Sequence, residues 1–228
     1  MSDPRHRPPS NPDPRFPSPN SLPPVASRQP PAPILIGLTG NIACGKSTVL
    51  ALLAGYGAET IDADREVHAL YVAGSPVTVA IADRFGAGVL AADGSVDRRA
   101  LGRLVIGDPA AMAALEAIVH PAVRQRIESR IASSQAAVVI VDAIKLIEGG
   151  LADRCDSVWV VTCRPEVQLA RLMARDGAGQ ADAERRIAAQ GPQANKVARA
   201  DVVIDNSGTP AETAAQVERA WERVMGNA

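Results

Sequence analysis

The chain has 228 residues, 46% of them hydrophobic and 21% charged, with a formal net charge of -1. That length suits one globular domain with a real core, and the charge balance lacks the basic excess by which nucleic-acid binders hold phosphates. Six aromatic residues leave no stacking platform for single strands, and no apolar run reaches the length of a membrane span, so neither nucleic acid nor membrane is an expected partner.

Three cysteines, Cys44, Cys155 and Cys163, form no CxxC pair and leave one odd. Neither a disulfide framework nor a zinc site is expected, and a reducing, cytoplasmic setting is the simpler reading.

Residues 1–33 hold 12 of the 18 prolines and few large apolar side chains. Such a segment cannot bury enough surface to offset its ordering entropy, so a disordered or polyproline tail is expected. It has no apolar h-region and does not read as a signal peptide. Its PxxP spacings (Pro9 to Pro12, Pro14 to Pro17) arise by chance in any Pro-rich stretch. Its charge is +2, from Arg5, Arg7, Arg15 and Arg28 against Asp3 and Asp13, which leaves -3 for the body. A mildly acidic body that handles an anion must gather its positive charge locally.

Residues 34–38, Ile-Leu-Ile-Gly-Leu, predict a buried parallel strand. Next comes Gly40-Asn41-Ile42-Ala43-Cys44-Gly45-Lys46-Ser47, a full match to G-x-x-x-x-G-K-[ST], and then an apolar helical stretch from Thr48 to Ala54. Strand, glycine loop and helix are the context in which this motif cradles a polyphosphate. Gly40 and Gly45 permit the tight path that turns N–H groups inward. Asn41, Ile42, Ala43 and Cys44 supply amides, Lys46 reaches the β- and γ-phosphates of ATP, and the Ser47 hydroxyl ligates Mg²⁺. Thr48 is placed for the α-phosphate. Cys44 reads as a small residue that fits the loop, although a helix N-terminus can also lower a thiol pKa and oxidation there would block the loop.

Further strands are predicted at 58–61, 137–141, 157–161 and 202–204, with helical stretches between. That is a βαβ series and a parallel sheet covered on both faces. Ligands of such sheets bind beyond the carboxyl ends of the strands, where Asp62, Asp64 and Asp142 fall. A GTP switch is not indicated: Asn195-Lys196-Val197-Ala198 lacks the Asp that would read guanine, and the DxxG matches at 83–86 and 205–208 do not stand in the required context.

A small-molecule kinase needs an acceptor base, cations for the transition-state charge and an element that excludes water. Asp62-Ala63-Asp64, after the second strand and across from the loop, offers candidates for the first. Arg171 and Arg175 stand at i, i+4 on a helix begun by Pro165, followed by Arg185 and Arg186 with Gly177 and Gly179 as hinges.

The motifs from 34 to 210, taken together, resemble those of the dephospho-coenzyme A kinase family. Gly37-Leu38-Thr39-Gly40 through Thr48 resembles its GLTGGIGSGKST, with Asn41, Ala43 and Cys44 as departures. Ile61-Asp62-Ala63-Asp64 resembles its IDAD, and Phe85-Gly86, Asp93-Gly94, Val96-Asp97-Arg98 and His120-Pro121 resemble its FG, DG, LDR and HP series. Arg171, Arg175, Gln190, Lys196, Ala200-Asp201 and Asn206-Ser207-Gly208 resemble its lid and closing strand.

The resemblance implies an α/β, P-loop NTPase three-layer fold: a five-stranded parallel sheet (34–64, 135–164 and 200–228), a helical acceptor-binding insertion at about 65–134 and a lid at about 165–199. It implies ATP-dependent phosphorylation of the ribose 3′-hydroxyl of dephospho-coenzyme A, giving coenzyme A and ADP, by a monomer or weak homo-oligomer. Asp64 is the implied catalytic base, with Lys46, Arg171 and Arg175 beside it; as a residue type Asp64 also suits the N-cap of a helix over 65–71. Arg98 and His120 are assigned to the acceptor on resemblance, His120 being equally readable as the last helical residue before Pro121. Lys145 replaces an apolar residue of the family's pattern and is placed to meet an anionic group of the acceptor. Asp62 and Asp142 are expected to reach Mg²⁺ through water. The alternatives are a P-loop kinase for another nucleotide or a sugar acid, and a non-enzymatic NTP-binding switch.

Overall fold

A computed structural model describes residues 32–226. The Pro-rich tail expected over 1–33 therefore lies outside the described residues, Ala32 and Pro33 apart. Five parallel strands, β1 (Ile34–Thr39), β2 (Glu59–Asp62), β3 (Val138–Asp142), β4 (Ser157–Thr162) and β5 (Val202–Asp205), form one sheet in the order β2-β3-β1-β4-β5. Helix α1 (Lys46–Gly55) follows β1. Four helices, α2 (Ala63–Leu70), α3 (Pro76–Phe85), α4 (Arg98–Val105) and α5 (Pro109–Ser133), lie between β2 and β3. Helices α6 (Pro165–Asp176), α7 (Gln180–Ala188) and α8 (Gln193–Val197) precede β5, and α9 (Pro210–Gly226) closes the described chain.

Alternation along the strands divides the core into layers. Ile36, Leu38, Val138, Ile140, Trp159, Val161 and Ile204 face one side, where Val49 and Leu53 of α1 and Val217 and Ala220 of α9 cover them. Val139, Val141, Val158, Val160 and Ile61 face the other, covered by Val123 and Ile127 of α5 and by Leu146. Each fully buried Ile, Leu or Val contributes roughly 1.5–3 kcal/mol. A third cluster, Val77, Ile81, Val89, Val96, Leu101, Val105 and Val119, gives α3–α5 a core of their own. Among the described residues no helix is long and apolar enough to cross a membrane.

The strands run one residue further than the apolar periods predict at each carboxyl end, so Asp62, Asp142, Thr162 and Asp205 are themselves in the sheet. Ser75-Pro76 and Asp108-Pro109 start helices as N-cap and N1 pairs. Two expectations are corrected. The cap of α2 is Asp62, whose carboxylate accepts the Arg65 N–H at 3.0 Å, so Asp64 is a first-turn residue and not the cap. The chain does not break at Pro121: α5 runs through it for 25 residues. Pro121 removes one backbone hydrogen bond, but Val119 is locked in the third cluster and Val123 and Ile127 under the sheet. Packing on both sides of the proline outweighs the lost bond.

The β2–α2 corner is tied to α5 by charge. Glu66 is buried, and accepts from Arg130 Nη1 at 2.7 Å and from Arg126 Nε. Burial alone would raise its pKa, but the two guanidinium hydrogen bonds outweigh it and hold the carboxyl below its usual range. Truncation as Glu66→Ala leaves both arginines without that partner. It is expected to lower unfolding free energy by about 2 kcal/mol, read as a shifted denaturant midpoint with unchanged slope; a midpoint equal to the parent's would show the pairs to be surface ornaments.

Candidate active site

The loop from Gly40 to Gly45 leaves the carboxyl end of the central strand β1, between β3 and β4, the end at which parallel sheets bind ligands. A side chain on Gly40 would meet the Val161 carbonyl at 2.5 Å, and Gly45 (φ 87) would collide with Asn206 at 1.9 Å, so the loop packs as closely as glycine allows. Ala43 takes φ 60, which costs an L-residue about 1 kcal/mol and keeps the turn tight. A buried chain of bonds anchors the loop from below: Asn206 Nδ2 donates to Cys44 O at 2.9 Å, and Thr213 Oγ1 donates to Asn206 Oδ1 at 2.8 Å.

Above the loop lies a cleft of about 370 Å³ lined by Gly40, Asn41, Ile42, Ala43, Gly45, Lys46, Ser47, Ile144, Arg171 and Arg175. Seven of the nine predicted nucleotide residues are in this lining. Cys44 is not, because its side chain is buried in the core below, and Thr48 sits exposed in the first turn of α1. Arg171 and Arg175 do meet the loop here, as their i, i+4 spacing allows. Arg171 Nη1 is buried without a hydrogen-bond partner, and so is Asn41 Oδ1. An unpaired guanidinium N–H beside a glycine loop is a donor waiting for an anion. Arg185 and Arg186 instead pair with Asp182, and Arg186 also with Asp176, on the surface.

Contacts from the α6–α8 segment fasten the loop from above. Gln168 Nε2 donates to Ile42 O at 2.8 Å, the Ile42 N–H donates to Gln190 Oε1 at 2.6 Å, and Asn41 Nδ2 donates to Gly191 O at 3.1 Å.

Lys46 makes an ion pair with Asp142 across the mouth of the cleft. The parallel register of β1 and β3 puts Leu38 beside Asp142, and that of β2 and β3 puts Asp62 opposite it. Asp142 thus touches the loop lysine directly, a contact the sequence analysis did not foresee. Its pKa is raised, first by burial, while Lys46 pulls it down and Asp62 and Asp64 push it up.

A second cleft, about 360 Å³ and mostly apolar, adjoins the first. Asp64, His120 and Lys145 line it, with Met112, Leu115, Val119 and Val123 as walls. Ile144 lines both clefts. Its carbonyl accepts from Thr39 Oγ1 at 3.0 Å and from buried Lys196 Nζ at 2.8 Å, which fixes the partition between them. Arg98 does not line this cleft, contrary to the expectation from the LDR motif: it is the exposed first residue of α4, and only its charge reaches the wall, at Tyr71. Lys145 pairs with Glu116 of α5 at 3.0 Å.

Sequence reasoning missed Glu116 and Arg124, which line the pocket; Arg124 Nη2 donates to Gly149 O at 2.8 Å. The signal was there as an α5 stripe: Met112, Glu116, Val119, His120 and Val123 at helical spacing. Ending the helix at His120 cut that stripe in two.

Among the described residues no three His, Cys, Asp or Glu side chains converge as a metal site of their own. A divalent cation here would draw its ligands from the Ser47 hydroxyl and the phosphates of a nucleotide, with the carboxylates of Asp62 and Asp142 behind them.

Comparison with known proteins agrees with this geometry. A family model described as dephospho-CoA kinase matches residues 34–212. A dephospho-CoA kinase of Symbiobacterium thermophilum is 49% identical over 195 residues, covering 84% of this chain and 82% of the relative. That of Geobacter sulfurreducens is 46% identical over 192 residues, covering 83% of this chain and 98% of the relative. The solved dephospho-CoA kinase from Campylobacter jejuni superposes with a TM-score of 0.63 at 26% identity, over 85% of this chain and 98% of that one. A phosphate loop on the central strand and a family match over nearly all of the described residues make the same assignment: this chain belongs to the dephospho-CoA kinase family.

Proposed function

We propose that the chain transfers the γ-phosphoryl group of ATP to the ribose 3′-hydroxyl of dephospho-coenzyme A, giving coenzyme A and ADP. ATP-dependent kinase activity in coenzyme A biosynthesis follows from family membership; the division of labour among residues is our reading. The observation that carries it is the junction of the two clefts. Ile144 lines both, and Asp64 lines the apolar cleft close enough to Asp142 for its charge to be felt there.

ATP places its phosphates against the loop amides. Lys46 leaves Asp142 for the β- and γ-phosphates, and Arg171 and Arg175 supply the remaining positive charge where the equatorial oxygens gather it. Mg²⁺, held by Ser47 and the phosphates, would neutralise charge on the phosphate chain. Asp64 accepts the 3′-hydroxyl and aims it in line with the γ-phosphorus. A bond forms from the ribose oxygen to phosphorus as the bond to the β–γ bridging oxygen breaks. Orientation is the larger part of the Asp64 carboxylate's work, and the proton leaves late, as the ribose oxygen bonds to phosphorus.

The apolar walls from α5 suit the uncharged arm and ring of the acceptor. Lys145 and Arg124 offer cations to its pyrophosphate, Lys145 by giving up Glu116; His120 contacts the acceptor at the pocket wall. The cytoplasm and a monomeric or weakly associating state complete the proposal.

The test is Mg²⁺-dependent ADP release with dephospho-coenzyme A, adenosine monophosphate, gluconate and no acceptor in parallel. Turnover is expected with dephospho-coenzyme A alone. Equal turnover with adenosine monophosphate or gluconate would instead make this a kinase for that acceptor, and ATP binding with silence throughout would make it a nucleotide switch.

A further inference from the structure

Helix α8 turns a lysine inward and a valine outward. Lys196 is its buried residue, 4% exposed, while neighbouring Val197 is 36% exposed. Lysine is seldom buried unless its charge is met. Here Lys196 Nζ donates to Ile144 O and to Glu148 Oε1, both at 2.8 Å. Those acceptors belong to the segment that follows β3, and Ile144 is the wall shared by the two clefts. Lys196 itself lines neither cleft.

We propose that Lys196 is a positioning residue for the transfer described above: from α8 it holds the Ile144 carbonyl, and with it the Ile144–Lys145 stretch, in the place that sets the acceptor against the phosphate loop. Its role stands on that proposed function.

The lysine has a fixed base to act from. Three residues earlier, Gln193 Nε2 donates to Cys163 O at 3.2 Å, and Gln193 Oε1 accepts from Cys44 Sγ at 3.1 Å. Residues three apart share a helix face. The face of α8 that grips the phosphate loop with Gln193 therefore reaches the acceptor segment with Lys196. Ile144 O takes its other hydrogen bond from Thr39 Oγ1, at the end of β1 where the loop begins. One carbonyl thus receives a donor from the strand beneath the nucleotide and a donor from the α6–α8 segment. Lys145, the next residue, lines the apolar cleft, so a shift of the Ile144 peptide moves a cation offered to the acceptor.

Stability alone does not account for a lysine here. Taking an ammonium out of water is unfavourable by several kcal/mol, and a pair with Glu148, half-exposed to solvent, returns little of it. Burial would raise the Glu148 pKa, but the hydrogen bond from Lys196 outweighs it and holds the carboxyl below its usual range, so the pair stays ionised at neutral pH. Methionine, of similar length, would fill the same space without desolvating a charge. What methionine cannot do is donate to the Ile144 carbonyl.

Lys196→Met in the full chain tests the proposal. With dephospho-coenzyme A, kcat is expected to fall about tenfold or more and the acceptor KM to rise about fivefold or more. The KM for ATP should stay within about twofold of the parent's, because the bonds from the α6–α8 segment to Asn41 and Ile42 do not pass through Lys196. The melting midpoint should stay within about 4 °C. Thr39→Val removes the other donor to the same carbonyl and is expected to give the same split. Because the two act through one atom, the loss in the double variant should depart from the product of the single losses by about fivefold or more. An active parent with Lys196→Met equal to it, or single losses that multiply, would overturn the role. Loss of ATP affinity and of the melting midpoint together would show Lys196 to hold the fold and nothing more. A parent silent with dephospho-coenzyme A would be a different failure, that of the proposed function, and would take this role with it.

Discussion

Asp64→Asn is expected to lower turnover with dephospho-coenzyme A about a thousandfold while ATP binding and fold persist. The amide keeps the shape of the carboxylate and removes its negative charge and its capacity to take a proton. What it loses is the acceptor for the 3′-hydroxyl proton and the pull that aims the oxygen at phosphorus. The structural part of the prediction rests on the corrected cap. Had Asp64 capped α2, its replacement would mix a folding cost with a chemical one. Asp62 does that work, through its bond to the Arg65 N–H. Asp64 is an exposed first-turn residue, worth only about 0.5 kcal/mol through the helix dipole. ADP release, a nucleotide titration and a thermal melt on one preparation separate the terms. Turnover within tenfold of the parent would take Asp64 out of the chemistry. A loss confined to KM would leave it a binding residue only.

The corrections have a common cause in what a linear reading can see. Loop glycines, the apolar run before them and the Arg pair at i, i+4 are local patterns, and the structure brings the glycines and both arginines to one cleft at the end of β1. Strand ends came within a residue because apolar runs stop at Asp62, Asp142 and Asp205, which the sheet then takes in as its last position. What escaped depends on strand register and on packing between distant segments. Lys46 and Asp142 are 96 positions apart and meet only because β1 and β3 pair in one register. Cys44 and Cys163 share one core cluster because β4 lies on the other side of β1. Pro121 reads as a helix end in isolation, but the two cores that grip α5 on either side hold it continuous. Arg98 was placed by motif alone; it stands exposed at the start of α4, outside the pocket lining, and no periodicity in the segment said otherwise.

Lys46→Ala is expected to lower turnover by a factor of about a hundred to a thousand through lost charge at the β- and γ-phosphates. The ion pair adds a structural effect that can be told apart from the catalytic one. Without Lys46, the Asp142 carboxylate, 12% exposed, faces Asp62 and Asp64 with no cation against it. The single variant should therefore lose stability as well as activity, by about 1–3 kcal/mol. Adding Asp142→Asn removes that orphaned charge. The double variant is expected to regain most of the stability and none of the turnover, because the phosphate charge is still unmet. The reverse pattern, activity returning with Asp142→Asn, would mean that Lys46 serves only to neutralise Asp142 and that the loop binds phosphate by its amides alone. Asp142→Asn by itself completes the cycle. It frees Lys46 from its partner, so nucleotide no longer has to displace a carboxylate, and ATP affinity should rise while the acceptor KM stays fixed. The coupling energy from the four proteins then measures how far Asp142 holds the lysine back from phosphate.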